Sequence, residues 1–179
     1  MGTRTNRFRF EIMKGENKRK HALAPIYNAN SRVLILGSFP SVKSRETEFY
    51  YGNKQNRFWK TLFGYFREPL QESVEKKKEF LLKKGVALWD MVVACEIEGS
   101  SDSSIKSAEI ADLSVVFNTA NVEKILLNGA LAERFFLERY ENVKIPYQRM
   151  PSTSPANPRF DETVWKNALD DVFSPLKKE

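Results

Sequence analysis

Val33-Leu34-Ile35-Leu36-Gly37-Ser38-Phe39-Pro40-Ser41 is an unbroken apolar run that stops in a turn of small residues. A run with no polar alternation fits a strand buried on both faces, as in a parallel sheet. We place that strand at residues 32–36, with further strands at 86–92, 122–127 and 147–150. Helical patterns fall between them. After Asn56, the positions Phe58, Trp59, Leu62, Phe63 and Phe66 draw one apolar stripe. Ser73 is placed to cap a helix that runs to Lys84 and stops at Gly85. Asp112 or Ser114 opens a short helix to Asn118, and another runs from Gly129 to Tyr140. Asp161 caps the last helix, whose stripe is Val164, Trp165, Ala168, Leu169 and Val172. The order β-α-β-α-α-β-α-β-α predicts an α/β sandwich around a short parallel sheet, with right-handed crossovers putting helices on both faces.

Composition narrows the function classes. The 179 residues favour one domain, large enough to bury roughly 70% of its unfolded surface without staples. Cys95 is the one cysteine and His21 the one histidine, so no internal disulfide, cysteine–histidine zinc site or four-cysteine iron–sulfur cluster can form. A reduced, cytoplasmic setting is expected. The N-terminal residues hold no long apolar run, so neither a signal peptide nor a membrane span is expected. The net charge is +6. Residues 1–20 carry seven Lys/Arg against two acids, a net +5, which leaves the body nearly neutral. Residues 1–20 read as a basic extension, either a solvated, disordered arm or a DNA clamp, ahead of a single domain over 21–179. Gly99-Ser-Ser-Asp-Ser-Ser104 reads as a loop. Trp89, Trp165 and Cys95 read as core.

Two loops hold the residues that can carry chemistry. In an open α/β sheet, ligands lie beyond the carboxyl ends of the strands, where the turn from Gly37 to Ser41 sits. Gly37 admits close approach and Pro40 stiffens the turn. The turn lacks the glycine spacing and lysine of a phosphate-binding loop. Phe49, Tyr50 and Tyr51 follow; one of these rings stacks on a base, or they plug the core beneath the next helix. Asn56 is open to two roles: N-cap of the helix behind it, or a carboxamide turned into a pocket to hold a water. The stretch 151–157, Pro-Ser-Thr-Ser-Pro-Ala-Asn, offers hydroxyls between two prolines, followed by Arg159. It reads as a phosphate-contacting rigid turn or as a plain surface turn.

Taken together, Leu36-Gly-Ser-Phe-Pro-Ser41, Tyr50-Tyr-Gly-Asn53 with Asn56-Arg-Phe-Trp59, Leu88-Trp-Asp90, Asp102-Ser-Ser-Ile-Lys106, Asn128-Gly129 and the 151–157 stretch resemble the uracil-DNA glycosylase superfamily. The resemblance is closest to its hypoxanthine-DNA (deoxyinosine) glycosylase branch and spans about residues 20–173. It implies a three-layer α/β/α fold with a four-stranded parallel sheet. It also implies hydrolysis of the N-glycosidic bond of a deaminated base flipped out of DNA, with the catalytic role at Asn56. Gly37, Ser38, Phe39, Tyr50 and Tyr51 are then the expected base contacts. Ser41, Arg57, Ser152, Thr153, Ser154, Asn157 and Arg159 are the expected DNA contacts. The expected partner is DNA containing deaminated bases, bound by a monomer without metal or cofactor. Ser38-Phe39 stand where other branches carry a water-handling Asp, Glu or Asn, and Met150 stands where the most active uracil enzymes have histidine; both departures argue against efficient uracil excision. No lysine in either motif sits as a Schiff-base nucleophile. The Asp102–Lys106 stretch reads as a surface loop. Two rival readings remain at this point: a damaged-DNA-binding module on the same fold, and an enzyme of free nucleosides.

Overall fold

The structure, a computed structural model, describes the backbone of residues 18–20 and all of residues 23–96 and 105–174. The expected loop at 99–104 and most of the basic extension lie outside the described residues. Strands β2 (Val33–Gly37), β3 (Val86–Asp90), β6 (Lys124–Asn128) and β7 (Tyr147–Met150) form a four-stranded sheet in the order β3-β2-β6-β7. Every pairing in it is parallel. All five residues of β2 and of β3 are buried, which is why their sequences show no alternation.

Helices α1 (Val42–Thr47), α2 (Phe58–Tyr65), α3 (Val74–Lys84), α4 (Ser114–Phe117), α5 (Ala130–Tyr140) and α6 (Glu162–Phe173) complete the described layers. Their caps follow from local chemistry. Ser73 accepts from the Lys76 N–H at 3.2 Å, Gly85 ends α3, and Asp161 accepts from the Thr163 N–H at 2.9 Å. Helices α2, α3 and α6 share an aromatic layer: Phe63 stacks on Phe80 at 3.8 Å between centroids, Phe66 meets Phe173, and Phe58 meets Trp165 edge-on. In the other layer α5 packs on β6. Its Tyr140 accepts from the Leu113 N–H and donates to the Ala111 carbonyl, fixing α4.

Three features differ from expectation. The strand expected at 86–92 is two strands. At Met91 the chain leaves the parallel sheet, and β4 (Val92–Glu96) joins a second, antiparallel sheet in the order β1-β4-β5, with β1 at Lys18–Lys20 and β5 at Lys106–Ile110. The Met91 and Val92 N–H groups donate to the carbonyls of Gly37 and Ser38, so the break is anchored on the loop after β2. Lys106 therefore opens a strand rather than ending a surface loop, while residues 102–104 of that stretch lie outside the described residues. The third difference is α1, a six-residue helix absent from the expected order, capped by Ser41 Oγ accepting from the Ser44 N–H.

Phe63 is 1% exposed at the centre of the aromatic layer. Phe63→Ala is expected to cost about 3–5 kcal/mol of unfolding free energy, read as a lowered urea midpoint at constant slope.

Candidate active site

A cavity of about 580 Å³ opens at the carboxyl ends of β2, β3 and β6. Its wall takes the 37–41 turn from β2, Asp90 from β3, Asn128 and Gly129 from β6, Tyr51, Asn53 and Asn56 from the loop before α2, and Ser152–Ser154 from the loop after β7. The turn after the opening strand, the asparagine and the proline-flanked serines thus share one space.

Asn56 makes a capping bond and also borders the cavity. Its Oδ1 accepts from the Phe58 N–H at 2.9 Å, a capping bond at the start of α2, and the same half-buried side chain lines the cavity. A carbonyl oxygen has a second lone pair, and the amide NH2 adds two donors, so the cap leaves capacity for a water or a ligand.

The adjacent tyrosines part company. Tyr51 lies in the left-handed region at φ 51°, stacks on Phe58 at 4.1 Å, and lines the cavity. Its hydroxyl accepts from Asn128 Nδ2 at 3.0 Å. Burial, with Asp90 nearby, pushes this phenol far above its ordinary titration range, so it stays neutral. Tyr50 does not reach this cavity. It is 3% exposed, its hydroxyl donates to the Ala24 carbonyl at 2.8 Å, and it faces a separate depression of about 500 Å³ beside Trp59. Tyr51 lines both the cavity and this depression, whereas Tyr50 lines only the depression. The base-stacking role expected of Tyr50 is corrected accordingly.

Asn128, of the Asn128-Gly129 step, ends β6 at the cavity. Its Nδ2 donates to the Tyr51 hydroxyl and to Thr153 Oγ1, each at 3.0 Å, and its Oδ1 accepts from the Thr153 N–H at 3.0 Å. Gly129, next in sequence, has φ 96°, and a Cβ there would lie 3.2 Å from that of Ser152. The only sequence signal for this contact is an Asn-Gly step ending an apolar strand.

Among the expected DNA contacts, Ser41, Ser152 and Ser154 stand at the cavity wall. Ser152 and Ser154 accept from the Ser154 and Ala156 N–H groups, which leaves their hydroxyl protons to point outward. Arg159 is exposed beside them. Three assignments need correction. Thr153 is 1% exposed and bound to Asn128, so it cannot meet a phosphate. Arg57 donates through one NH2 to the carbonyls of Ser154 and Asn157 and stacks its guanidinium over Phe160 at 4.4 Å; it clasps the loop rather than DNA. Asn157 spends its amide inside the same turn, donating to the Ser152 carbonyl and accepting from the Arg159 N–H.

Among the described residues, no group of three or more His, Cys, Asp or Glu could hold a metal ion, and no helix is long and apolar enough to cross a membrane.

The Uracil DNA glycosylase superfamily model matches residues 24–172. This chain belongs to the uracil-DNA glycosylase superfamily, in its hypoxanthine-DNA glycosylase branch. It is 34% identical over 152 residues to a hypoxanthine DNA glycosylase of Methanosarcina acetivorans, covering 82% of this chain and 96% of that one. A hypoxanthine DNA glycosylase of Methanosarcina barkeri is 34% identical over 113 residues, 62% of this chain and 72% of that one. The solution NMR structure of a candidate uracil DNA glycosylase from Methanosarcina acetivorans superposes with a TM-score of 0.75 at 32% identity, covering 85% of this chain and 97% of the other. Membership in the superfamily carries the reaction class: excision of a deaminated base from DNA by cleavage of its glycosidic bond.

Removing the clasp should loosen one wall of the glycosylase cavity. Arg57→Ala is expected to destabilise the protein by about 2 kcal/mol or more, since each hydrogen bond from a charged group is worth roughly 1.5–3 kcal/mol. Thermal melting reads the loss, and limited proteolysis should show new cleavage within residues 151–159.

Proposed function

We propose that this glycosylase removes hypoxanthine from DNA by a monofunctional, water-mediated route, with Asn56 holding the attacking water. The observation that carries the reading is that Asn56, the 37–41 turn and the serine loop enclose a single cavity of a size suited to one base and its sugar. Two relatives named as hypoxanthine DNA glycosylases support the choice of base. So does the replacement of a water-handling side chain by Ser38-Phe39.

A base inside a duplex is out of reach, so the nucleotide must be extruded at a cost of a few kcal/mol, less for an imperfect pair. Hypoxanthine opposite thymine forms a wobble pair, and opposite cytosine it makes one hydrogen bond fewer than guanine does. In this reading the serine loop grips the strand through Ser152, Ser154 and Arg159, and Tyr51 lies against the flipped base. Asn56 uses its remaining lone pair to align a water with the sugar carbon. A carboxamide is a poor base, so the water is deprotonated late, after the glycosidic bond has largely broken. Hydrogen-bond donors around the departing base then carry most of the rate enhancement. The described residues lining the cavity include no lysine, which supports hydrolysis without a Schiff base and therefore without strand cleavage. We place the enzyme in the cytoplasm, acting as a monomer on DNA with deaminated bases and needing no cofactor.

The test uses labelled duplexes carrying deoxyinosine, deoxyuridine or deoxyxanthosine, treated with alkali after incubation. Deoxyinosine is expected to break fastest; DNA binding without any abasic product would instead mark a binding module. Asn56→Ala should lower single-turnover excision by about a hundredfold or more. It should also cost about 1 kcal/mol of stability through the lost cap. Asn56→Ser keeps a capping oxygen on a shorter side chain that does not reach as far into the cavity, so it separates the two effects: largely restored stability with excision still impaired is the expected result. Borohydride trapping of a covalent protein–DNA adduct would contradict the monofunctional route.

A further inference from the structure

The depression beside Trp59 takes no part in the mechanism above. Its floor is aromatic and fixed. The Trp59 indole N–H donates to the Tyr50 carbonyl at 3.0 Å, and Phe49 stacks on Trp59 at 5.7 Å between centroids. Its rim is cationic: Lys54 comes from the loop before α2, Lys60 from the first turn of α2 and Lys77 from α3. None of the three makes an ion pair with a described carboxylate. The exposed Glu72 is the one acid among the described residues of this wall. Lys77 is half-buried, with its Nζ 5.2 Å from the centre of the Trp59 ring. Burial holds its amine below the ordinary lysine range, and the charge of Glu72 offsets this only in part. Like charges gathered around one hollow, one of them partly desolvated, are relieved by an anion.

The position of the depression identifies the anion. Tyr51, Asn53 and Asn56 line it and the cavity alike, so the two hollows are two sides of one loop. A nucleotide turned into the cavity stays joined to both neighbours through phosphodiesters, so its strand crosses the cavity rim twice. Successive phosphates on one strand advance only about 3.4 Å along a duplex axis. The cavity itself has no Lys or Arg among its described lining residues. The positive charge for those phosphates therefore has to stand just beyond the rim. Arg159 stands beside the serine loop, and the three lysines stand across the 51–56 loop. Leu70, 48% exposed, and Val74 add an apolar lip to the depression.

We infer that this depression is a second nucleotide subsite. Lys54, Lys60 and Lys77 hold the backbone phosphate next to the extruded nucleotide on the same strand, and Leu70 and Val74 pack against its sugar. The inference rests on the glycosylase reading above and adds to it the path the strand takes on leaving the cavity.

The experiment combines Lys60→Gln with Lys77→Gln. Affinity is measured by fluorescence anisotropy across a range of salt, on a duplex carrying a 2′-fluorinated deoxyinosine whose glycosidic bond resists cleavage. The double variant is expected to bind about tenfold more weakly at low salt. Its slope of log Kd against log salt should fall by about 2, one for each lysine. Lys83→Gln, on the same helix but lining a different hollow with Gly85 and Phe173, should change neither. Trimming the damaged strand to end at the modified nucleotide, on its 5′ side in one duplex and its 3′ side in another, should abolish the defect in one of the two. An unchanged slope in the double variant would overturn the inference, as would an equal effect per lysine from Lys83→Gln or a defect that survives both trims. A saturated excision rate that falls as far as the affinity would also overturn it, by placing these lysines in the chemistry or the fold. Wild-type protein that binds the duplex but releases no base from deoxyinosine would overturn the glycosylase reading, and the salt slopes would still decide the subsite.

Discussion

One carboxamide holds the working end of this molecule together. Asn128 ends a buried strand and makes three hydrogen bonds, one to Tyr51 from the loop before α2 and two to Thr153 from the loop after β7. Each neutral hydrogen bond is worth only about 1 kcal/mol net. Their importance is positional: all three fix, relative to the rigid sheet, segments that no secondary structure restrains. Arg57 works from the other side, binding the Thr153 carbonyl through its own N–H and the Ser154 and Asn157 carbonyls through its guanidinium. The serine loop is therefore gripped between a strand end and a helix start, and the hydroxyls of Ser152 and Ser154 are presented from a fixed backbone. A loop held this way has its ordering completed before any ligand arrives.

The body of the fold was legible in the sequence where local chemistry and burial agree. The β2 run, the Ser73 cap with Gly85 at the far end, and the α6 stripe from Val164 to Val172 each state one structure through several independent signals. What could not be read was any change made by a distant partner. Residues 86–96 are apolar almost throughout, and a continuous apolar run cannot show that its pairing partner changes at Met91. The strand β5, Lys-Ser-Ala-Glu-Ile, is largely exposed and polar; it is a strand only because β4 pairs with it. Helix α1 is too short to write a period, though Ser41 three residues before Ser44 marks its cap.

The site was legible to the level of segments but not of side chains. The three stretches singled out do meet in one cavity. Within them, adjacency defeated the finer reading: Tyr50 and Tyr51 carry the same chemistry, and only Tyr51 lines the cavity. Charge misled as well. Arg57 sits beside Asn56 and reads as a phosphate contact, but its guanidinium faces carbonyl oxygens about a hundred residues away. Asp90 and Asn128 were visible as letters at strand ends, without any local pattern to say that they face inward.

The division of labour in the proposed site follows from what each group can do. Asn56 is bound at one oxygen lone pair by its own helix, so its orientation is set before any substrate enters; a side chain free to rotate would hold a water less well. It cannot generate a strong nucleophile. The site therefore has to favour departure of the base, and departure is easiest for a base whose developing charge is met by donors. The neutral Tyr51 hydroxyl and the 37–41 turn lie in the wall of that cavity, where such donors would be needed. A strong general base in place of Asn56 would speed attack on every extruded nucleotide alike. A weak one leaves discrimination to the contacts made by the base, which suits an enzyme working among a vast excess of normal nucleotides.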